Sequence, residues 1–291
     1  MSIPFLRDDV LPPGVAEEVA PGVRRILCGN PGPFTFRGTN TYIVGRGRVA
    51  VIDPGPADAA HLAAILAATR GEQVTHILVS HTHRDHSPGV AVLKAATGAP
   101  SLGFGPHMTP PEAGGEGGDH TFTPDRQLAD GATVEGEDWR VTTIHTPGHC
   151  ANHLCFALEG TGVLFSADHV MSWSTSVVSP PDGDMTDYMA SLARLAGRDD
   201  RLYLPGHGPP LPEPARFVAA LAAHRQEREA RVLDALRAAR RATAAELVPA
   251  AYGPELDARL VAGAARSLLA HLIKLEREAV AARDGDAFEA L

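Results

Sequence analysis

The chain of 291 residues is 44% hydrophobic and 21% charged, the balance of a folded protein with a sizeable core. A formal charge of −9 argues against a strongly basic nucleic-acid binder. No run approaches the roughly 18–20 apolar residues of a membrane span, and the first ten residues lack the pattern of an export signal, so a cytoplasmic protein is expected.

In chain order, β-rich runs are predicted at Val23–Cys28, Thr41–Val44, Arg48–Asp53, Thr75–Ser80 and Ser101–Phe104. A meander follows at Ala132–Val134, Arg140–Ile144, His153–Leu158 and Val163–Ser166, and a last strand at Arg201–Leu204. Helical spacing of apolar residues marks Ala57–Thr69, Pro88–Ala96 and Asp187–Leu195. Strands grouped with helices outside them predict an α/β fold, two sheets sandwiched between helices. Met108–His120, rich in Pro, Gly and acid, reads as a mobile surface loop. The composition changes near Pro209–Pro214, which divides the chain into domains 1–211 and 212–291. The second is read as three helices, Ala215–Arg240, Thr243–Ala251 and Glu255–Ala279, closed by a hairpin over Val280–Leu291. Thr243 with Glu246 is a capping-box signature for the middle helix. Three helices and a hairpin resemble a winged-helix module.

Chemistry concentrates in His81-Thr-His83-Arg-Asp85-His86, directly after the apolar run ending at Ser80. At a strand end, residues i and i+2 project to one side, so His81 and His83 can share one metal. The chain then turns, and Asp85 and His86 can face a second centre. Imidazole nitrogen and carboxylate oxygen are ordinary ligands for zinc, and suit iron or manganese. Three more candidates close later strands: His149 in Thr-Pro-Gly-His, Asp168 in Phe-Ser-Ala-Asp, and His207 in Leu-Pro-Gly-His. The two Pro-Gly turns allow close backbone approach. His107 and His120 beside the loop read as surface residues, and His145, His153 and His169 as histidines that hydrogen-bond within the core and bind no metal. Cys28, Cys150 and Cys155 cannot all pair and have no Cys-x-x-Cys spacing; they read as reduced thiols, Cys150 as a buried residue rather than a ligand.

In this order the motifs resemble the metallo-β-lactamase superfamily over about residues 20–210. That resemblance implies an αββα sandwich holding two divalent metal ions, zinc first, with iron or manganese as alternatives. It implies that His81, His83 and His149 bind one metal, that Asp85, His86 and His207 bind the second, and that Asp168 bridges them. A water shared by two cations loses its proton easily, and the resulting metal-bridged hydroxide can attack a carbonyl or phosphorus. Asp85 and Asp168 are the candidate catalytic carboxylates.

The winged-helix end, Gly38-Thr-Asn-Thr-Tyr42 and His224-Arg225 resemble the β-lactamase-like protein 2 branch, whose members are associated with cleavage of single-stranded RNA. Against RNA stands a tail with 12 basic and 12 acidic residues, although Arg225–Arg241 holds a local basic excess. A salt-bridged helix is the plainer reading of that excess. The expected function is therefore hydrolysis of a phosphodiester or ester-type substrate, small-molecule ester or thioester or single-stranded RNA. A glyoxalase-II-like thioesterase and a mononuclear iron persulfide dioxygenase are the alternatives. The tail is expected to shape the substrate site or to pair two copies as a homodimer. Trp173, Pro180-Pro181 and Asp182 are expected to line the cleft.

Overall fold

A computed structural model describes residues 3–113, 117–253 and 255–291, with the side chain of residue 259 left aside. Part of the expected mobile loop, residues 114–116, lies outside these described residues.

The first sheet runs in chain order: β1 (Ala16–Ala20), β2 (Val23–Leu27), β3 (Asn40–Val44), β4 (Arg48–Ile52), β5 (Gln73–Leu78), β6 (Ser101–Gly103) and β7 (Arg126–Gln127). Its first three pairings are antiparallel and the rest parallel. Of the three crossovers that these parallel pairings require, two run through α1 (Ala59–Ala68) and α2 (Gly89–Thr97), and the third is the loop between β6 and β7. The second sheet contains β8 (Thr133–Glu135), β9 (Arg140–His145), β10 (Leu154–Leu158), β11 (Val163–Ala167), β12 (Leu202–Pro205) and β13 (Leu211–Pro212), with α3 (Met185–Ala196) between β11 and β12.

Side chains alternate across each strand, and the core follows that period. Tyr42, Val44, Ala50 and Ile52 point between the sheets and meet Leu154, Phe156, Phe165 and Leu204 from the facing sheet. The intervening Ile43, Val49 and Val51 point outward and are covered by Leu62 and Ile65 of α1 and by Val90 and Leu93 of α2. On the far side, Cys155 and Leu164 lie under Tyr188 and Leu192 of α3. The molecule is thus the αββα sandwich that the alternation predicts. No helix among the described residues is long and apolar enough to cross a membrane.

Beyond the second sheet lie α4 (Pro214–Ala239), β14 (Arg241–Thr243), α5 (Val248–Tyr252), α6 (Val261–Arg277), β15 (Ala281–Asp284) and β16 (Ala287–Ala290). β14 adds to the predicted hairpin and makes a three-stranded wing in the order β14-β16-β15. The middle helix is shorter than Thr243–Ala251. Thr243 and Glu246 do exchange capping-box hydrogen bonds, but the α-helix starts only at Val248. Pro249 explains this, since proline fits the first turn of a helix and not its interior. α4 is shared between two cores: Phe217, Val218 and Leu221 pack on the second sheet, while Val232 and Leu236 pack on α6 and the wing.

Candidate metal centre

Strand direction explains why distant segments meet. β9 and β11 each pair antiparallel with β10, so they run the same way, and β12 is parallel to β11. The C-terminal ends of all three therefore share one edge, and from that edge come His149, Asp168 and His207. In the other sheet, parallel β4 and β5 end beside each other and deliver Asp53 and the His81–His86 segment. The two edges are tied together. Leu154 N–H donates to the Ser80 carbonyl (2.7 Å), and Asn40 N–H donates to the Gly206 carbonyl (2.8 Å). The Asn40 side chain also donates to the carbonyls of Pro205 and Gly208, and the Tyr42 hydroxyl to that of Pro205. The Gly38–Tyr42 motif is thus the clasp that seats His207.

All seven sequence-predicted residues come together. His81 Nε2 and His149 Nε2 lie 2.9 and 3.0 Å from His83 Nδ1. His86 Nε2 lies 3.3 Å from His207 Nε2, which is 3.2 Å from Asp85 Oδ2. Asp168 stands between the two groups: Oδ1 is 3.6 Å from His86 Nε2, and Oδ2 is 3.6 Å from His149 Nε2 and 3.3 Å from His207 Nε2. Donor atoms on a tetrahedral zinc at ~2.0–2.1 Å stand roughly 3.3 Å apart, close to these spacings.

The remote ring nitrogens decide which lone pairs face inward. His149 Nδ1–H donates to the Val177 carbonyl (2.6 Å) and His207 Nδ1–H to the Gly38 carbonyl (3.1 Å). His86 Nδ1–H donates to Asp53 Oδ2 (3.0 Å). Asp53 also accepts Ser80 N–H and the Ser80 hydroxyl, and that hydroxyl accepts His81 Nδ1–H (2.9 Å). With each remote nitrogen protonated, Nε2 of a neutral ring presents a lone pair to the centre. Crowded lone pairs repel one another unless a cation lies between them.

Electrostatics divides the centre in two. Burial, reinforced by the neighbouring histidines, pushes His81 well below the usual histidine range and His83 down to about 3, so both are neutral donors. In the other half burial is outweighed. Asp85 and Asp168 hold His86 well above its usual value, and Asp168 with Asp85 raises His207 to about 10. Burial would raise Asp168, yet His207 and His86 hold it well below the carboxylate range. This half is a field that demands positive charge. Asp168 Oδ1 is buried and accepts no hydrogen bond. Neutral lone pairs, clustered carboxylates and this unmatched oxygen together fit divalent metal ions.

Two glycines permit the crowding. A Cβ on Gly206 would lie 2.3 Å from Asp168 Oδ1 and 2.8 Å from His86 Cε1. Gly148, at φ +131°, brings its backbone against Tyr188, where a Cβ would sit 2.3 Å from Cα. Cys150 also lies close to His83 and Asp182. Its thiol donates to Asn152 Oδ1 (3.1 Å), and burial followed by Asp182 pushes it well above the usual thiol value, so it stays a protonated donor.

Several positioning residues escape sequence reasoning. Asp53 carries the strand-end Pro-Gly context in Asp-Pro-Gly, a signal that could have flagged it. Arg225, expected on a solvated face, is 5% exposed and donates from Nη2 to the Ser176 carbonyl, next to the residue that holds His149. His107 is not a plain surface residue. Its ring lies 6.5 Å from that of His83, and Nδ1 meets Thr82 Oγ1 at 2.8 Å. His120 is exposed as expected, and His153 and His169 are fully buried in the core. Flanks of the predicted mobile loop are anchored: buried Asp119 accepts the Ser87 hydroxyl, and Thr109 donates to Asp182. A hollow of about 600 Å³ is framed by Gly22, Gly45 and Gly136 at the opposite ends of the strands and contains none of the seven residues.

Known proteins carry the same arrangement of domains. Residues 34–207 match the metallo-beta-lactamase superfamily, and residues 243–289 the beta-lactamase associated winged helix domain. An atrochrysone carboxyl ACP thioesterase of Passalora fulva is 35% identical over 254 residues, spanning 83% of this chain and 71% of that protein. A lactamase-like protein of Aspergillus niger is 33% identical over 227 residues, 77% of this chain and 67% of its own. The crystal structure of a metallo-beta-lactamase family protein from Thermus thermophilus matches with a TM-score of 0.78 at 25% identity, covering 94% of this chain and all (100%) of that one. A beta-lactamase domain protein from Burkholderia ambifaria shares the fold across 98% of this chain and 96% of its own, with a TM-score of 0.83 at 24% identity. Fold, clustered donors and kinship agree: the chain belongs to the metallo-β-lactamase superfamily, as a metal-dependent hydrolase with the associated winged-helix domain.

Proposed function

We propose that this protein hydrolyses acyl thioesters at a centre of two divalent metals, zinc by the character of its donors. His81, His83 and His149 would hold one metal, and Asp85, His86 and His207 the other, with Asp168 placed between the two groups. The observation that carries this reading is the position of Asp168, whose two oxygens approach histidines of both groups. When bound, the metals supply Lewis acidity and a nucleophile from water at neutral pH. The protein's own groups do the rest. Four of the five histidines are locked in one tautomer by Val177, Gly38, Asp53 and Ser80. Asp85 is 27% exposed while His86, Asp168 and His207 are 8% or less, so it faces the solvent side and orients the attacking water. Water adds to the thioester carbonyl, the carbon–sulfur bond breaks, and a carboxylate, a thiol and one proton leave.

Two observations favour a thioester over RNA. Two arginines of α4 are engaged within the fold, Arg225 being buried and Arg228 lying over the Tyr252 ring and donating to the Ala251 carbonyl, and Arg237 pairs with Asp234 on the surface. Arg241, just beyond, pairs with Asp284. The relative from Passalora fulva is named for a carrier-protein thioester. We read residues 212–291 as a support for the metal centre, through Arg225. The test offers acyl-pantetheine thioesters, bis-p-nitrophenyl phosphate and short single-stranded RNA to the metal-loaded protein. Free thiol from the thioesters supports the proposal; cleavage of the phosphodiesters alone rejects it.

A further inference from the structure

Apolar side chains stand in solvent on the loops that hold the metal centre. Gly38, whose carbonyl fixes His207, lies two residues after Phe36, and the Phe36 ring stacks on Trp173 at 4.9 Å with 17° between the planes. Trp173 also flanks the residue after His207, because a Cβ on Gly208 would be 2.9 Å from Trp173 Cδ1. Phe34 on the same loop is 62% exposed. Val177, whose carbonyl fixes His149, is 42% exposed, and Met108, next to His107, is 59% exposed. Leaving large apolar groups in water is unfavourable, and a patch of them bordering a polar centre marks a binding surface.

We infer that Phe34, Phe36, Met108, Trp173 and Val177 form an apolar rim that holds the acyl group of the substrate and selects long acyl groups over acetyl. This deepens the thioesterase reading and rests on it. The rim borders the centre through the Val177 and Gly38 carbonyls that hold His149 and His207, so an acyl group attached to a carbonyl at the centre would lie beside it. The carboxylate product therefore keeps the same contacts until it leaves.

The decisive experiment measures kcat/KM for pantetheine thioesters from acetyl to octanoyl. The rim predicts a rise of about two- to fourfold per methylene, the value of burying one methylene at partial to full depth. Replacing Phe34 and Val177 together (Phe34→Ser with Val177→Ser) flattens the dependence on chain length. Val92→Ser, an exposed apolar position on α2, leaves the octanoyl-to-acetyl ratio unchanged. In parallel, tryptophan fluorescence of the purified protein is followed while octanoate or acetate is added. Trp139 lines the hollow at the opposite ends of the strands, so the titration is repeated in Trp173→Phe, and a change that octanoate gives, acetate does not and this variant loses reports Trp173. Equal responses to the two acids overturn the rim, as does hydrolysis with no dependence on chain length. If no thioester is cleaved and octanoate still shifts the fluorescence, the rim stands and the thioesterase reading falls.

Discussion

Asp53→Asn isolates the contribution of one buried carboxylate to metal binding. Asp53 adopts φ 50°, a left-handed conformation that asparagine also tolerates, so the backbone has no reason to move. The carboxylate accepts three hydrogen bonds, Ser80 N–H at Oδ1 and the Ser80 hydroxyl and His86 Nδ1–H at Oδ2. An amide has one accepting oxygen. In one orientation its NH2 opposes Ser80 N–H, and in the other it opposes His86 Nδ1–H. Each clash costs about 1–3 kcal/mol. The second also favours moving the His86 proton to Nε2, which removes the lone pair that faces the centre. Losses of this kind weaken metal affinity by roughly 10–100-fold. The assay is competition between the protein and a chromophoric chelator, with thermal melting of the metal-free chain as a control for folding. Asp53→Asn is expected to weaken binding at the His86 site by that factor. Wild-type affinity at both sites would refute the argument that Asp53 sets the tautomer.

Gly206→Ala is expected to reduce the metal content per chain, because the new methyl group overlaps Asp168 and His86; elemental analysis checks it. Such overpacking costs about 1–3 kcal/mol, so the variant should remain folded. Arg225→Met leaves the Ser176 carbonyl without its donor and loosens the loop that fixes His149. It should cost about 1–3 kcal/mol in urea unfolding and weaken metal binding, with Arg225→Lys recovering part of both. His61 supplies a pH prediction in the metal-free protein. Burial lowers it to about 4, its Nε2–H meets Thr41 Oγ1, and Nδ1 has no partner. Its folded value lies below the unfolded value of about 6.5, so its contribution is complete above that pH and is lost as the pH falls toward 4. The loss approaches about 3 kcal/mol. Stability curves of wild type and His61→Gln between pH 7 and 4.5 should converge as acid is added.

The seven metal-site candidates were legible because their chemistry is rare and their positions regular: each closes an apolar strand, and the strand directions bring those ends to one edge. The alternation in β3, β4 and β10 likewise encoded the two sheets. What stayed hidden depends on partners distant in sequence. β14, Arg-Ala-Thr, has no pattern of its own and becomes a strand by pairing with β16. β1, Ala-Glu-Glu-Val-Ala, is an exposed edge whose alanines and glutamates have little strand preference. Arg225 read as one of a helix's surface charges, because only the fold shows the Ser176 carbonyl opposite it. The shortened middle helix was readable after all, since Pro249 stood inside the predicted span.

The most direct test is metal analysis of the purified protein and of Asp168→Ala, paired with thioester hydrolysis by each. Two metals per chain in the wild type, with hydrolysis lost when Asp168 is replaced, is the predicted outcome. A single iron per chain, with hydrolysis undiminished in Asp168→Ala, would contradict a centre whose halves share that carboxylate.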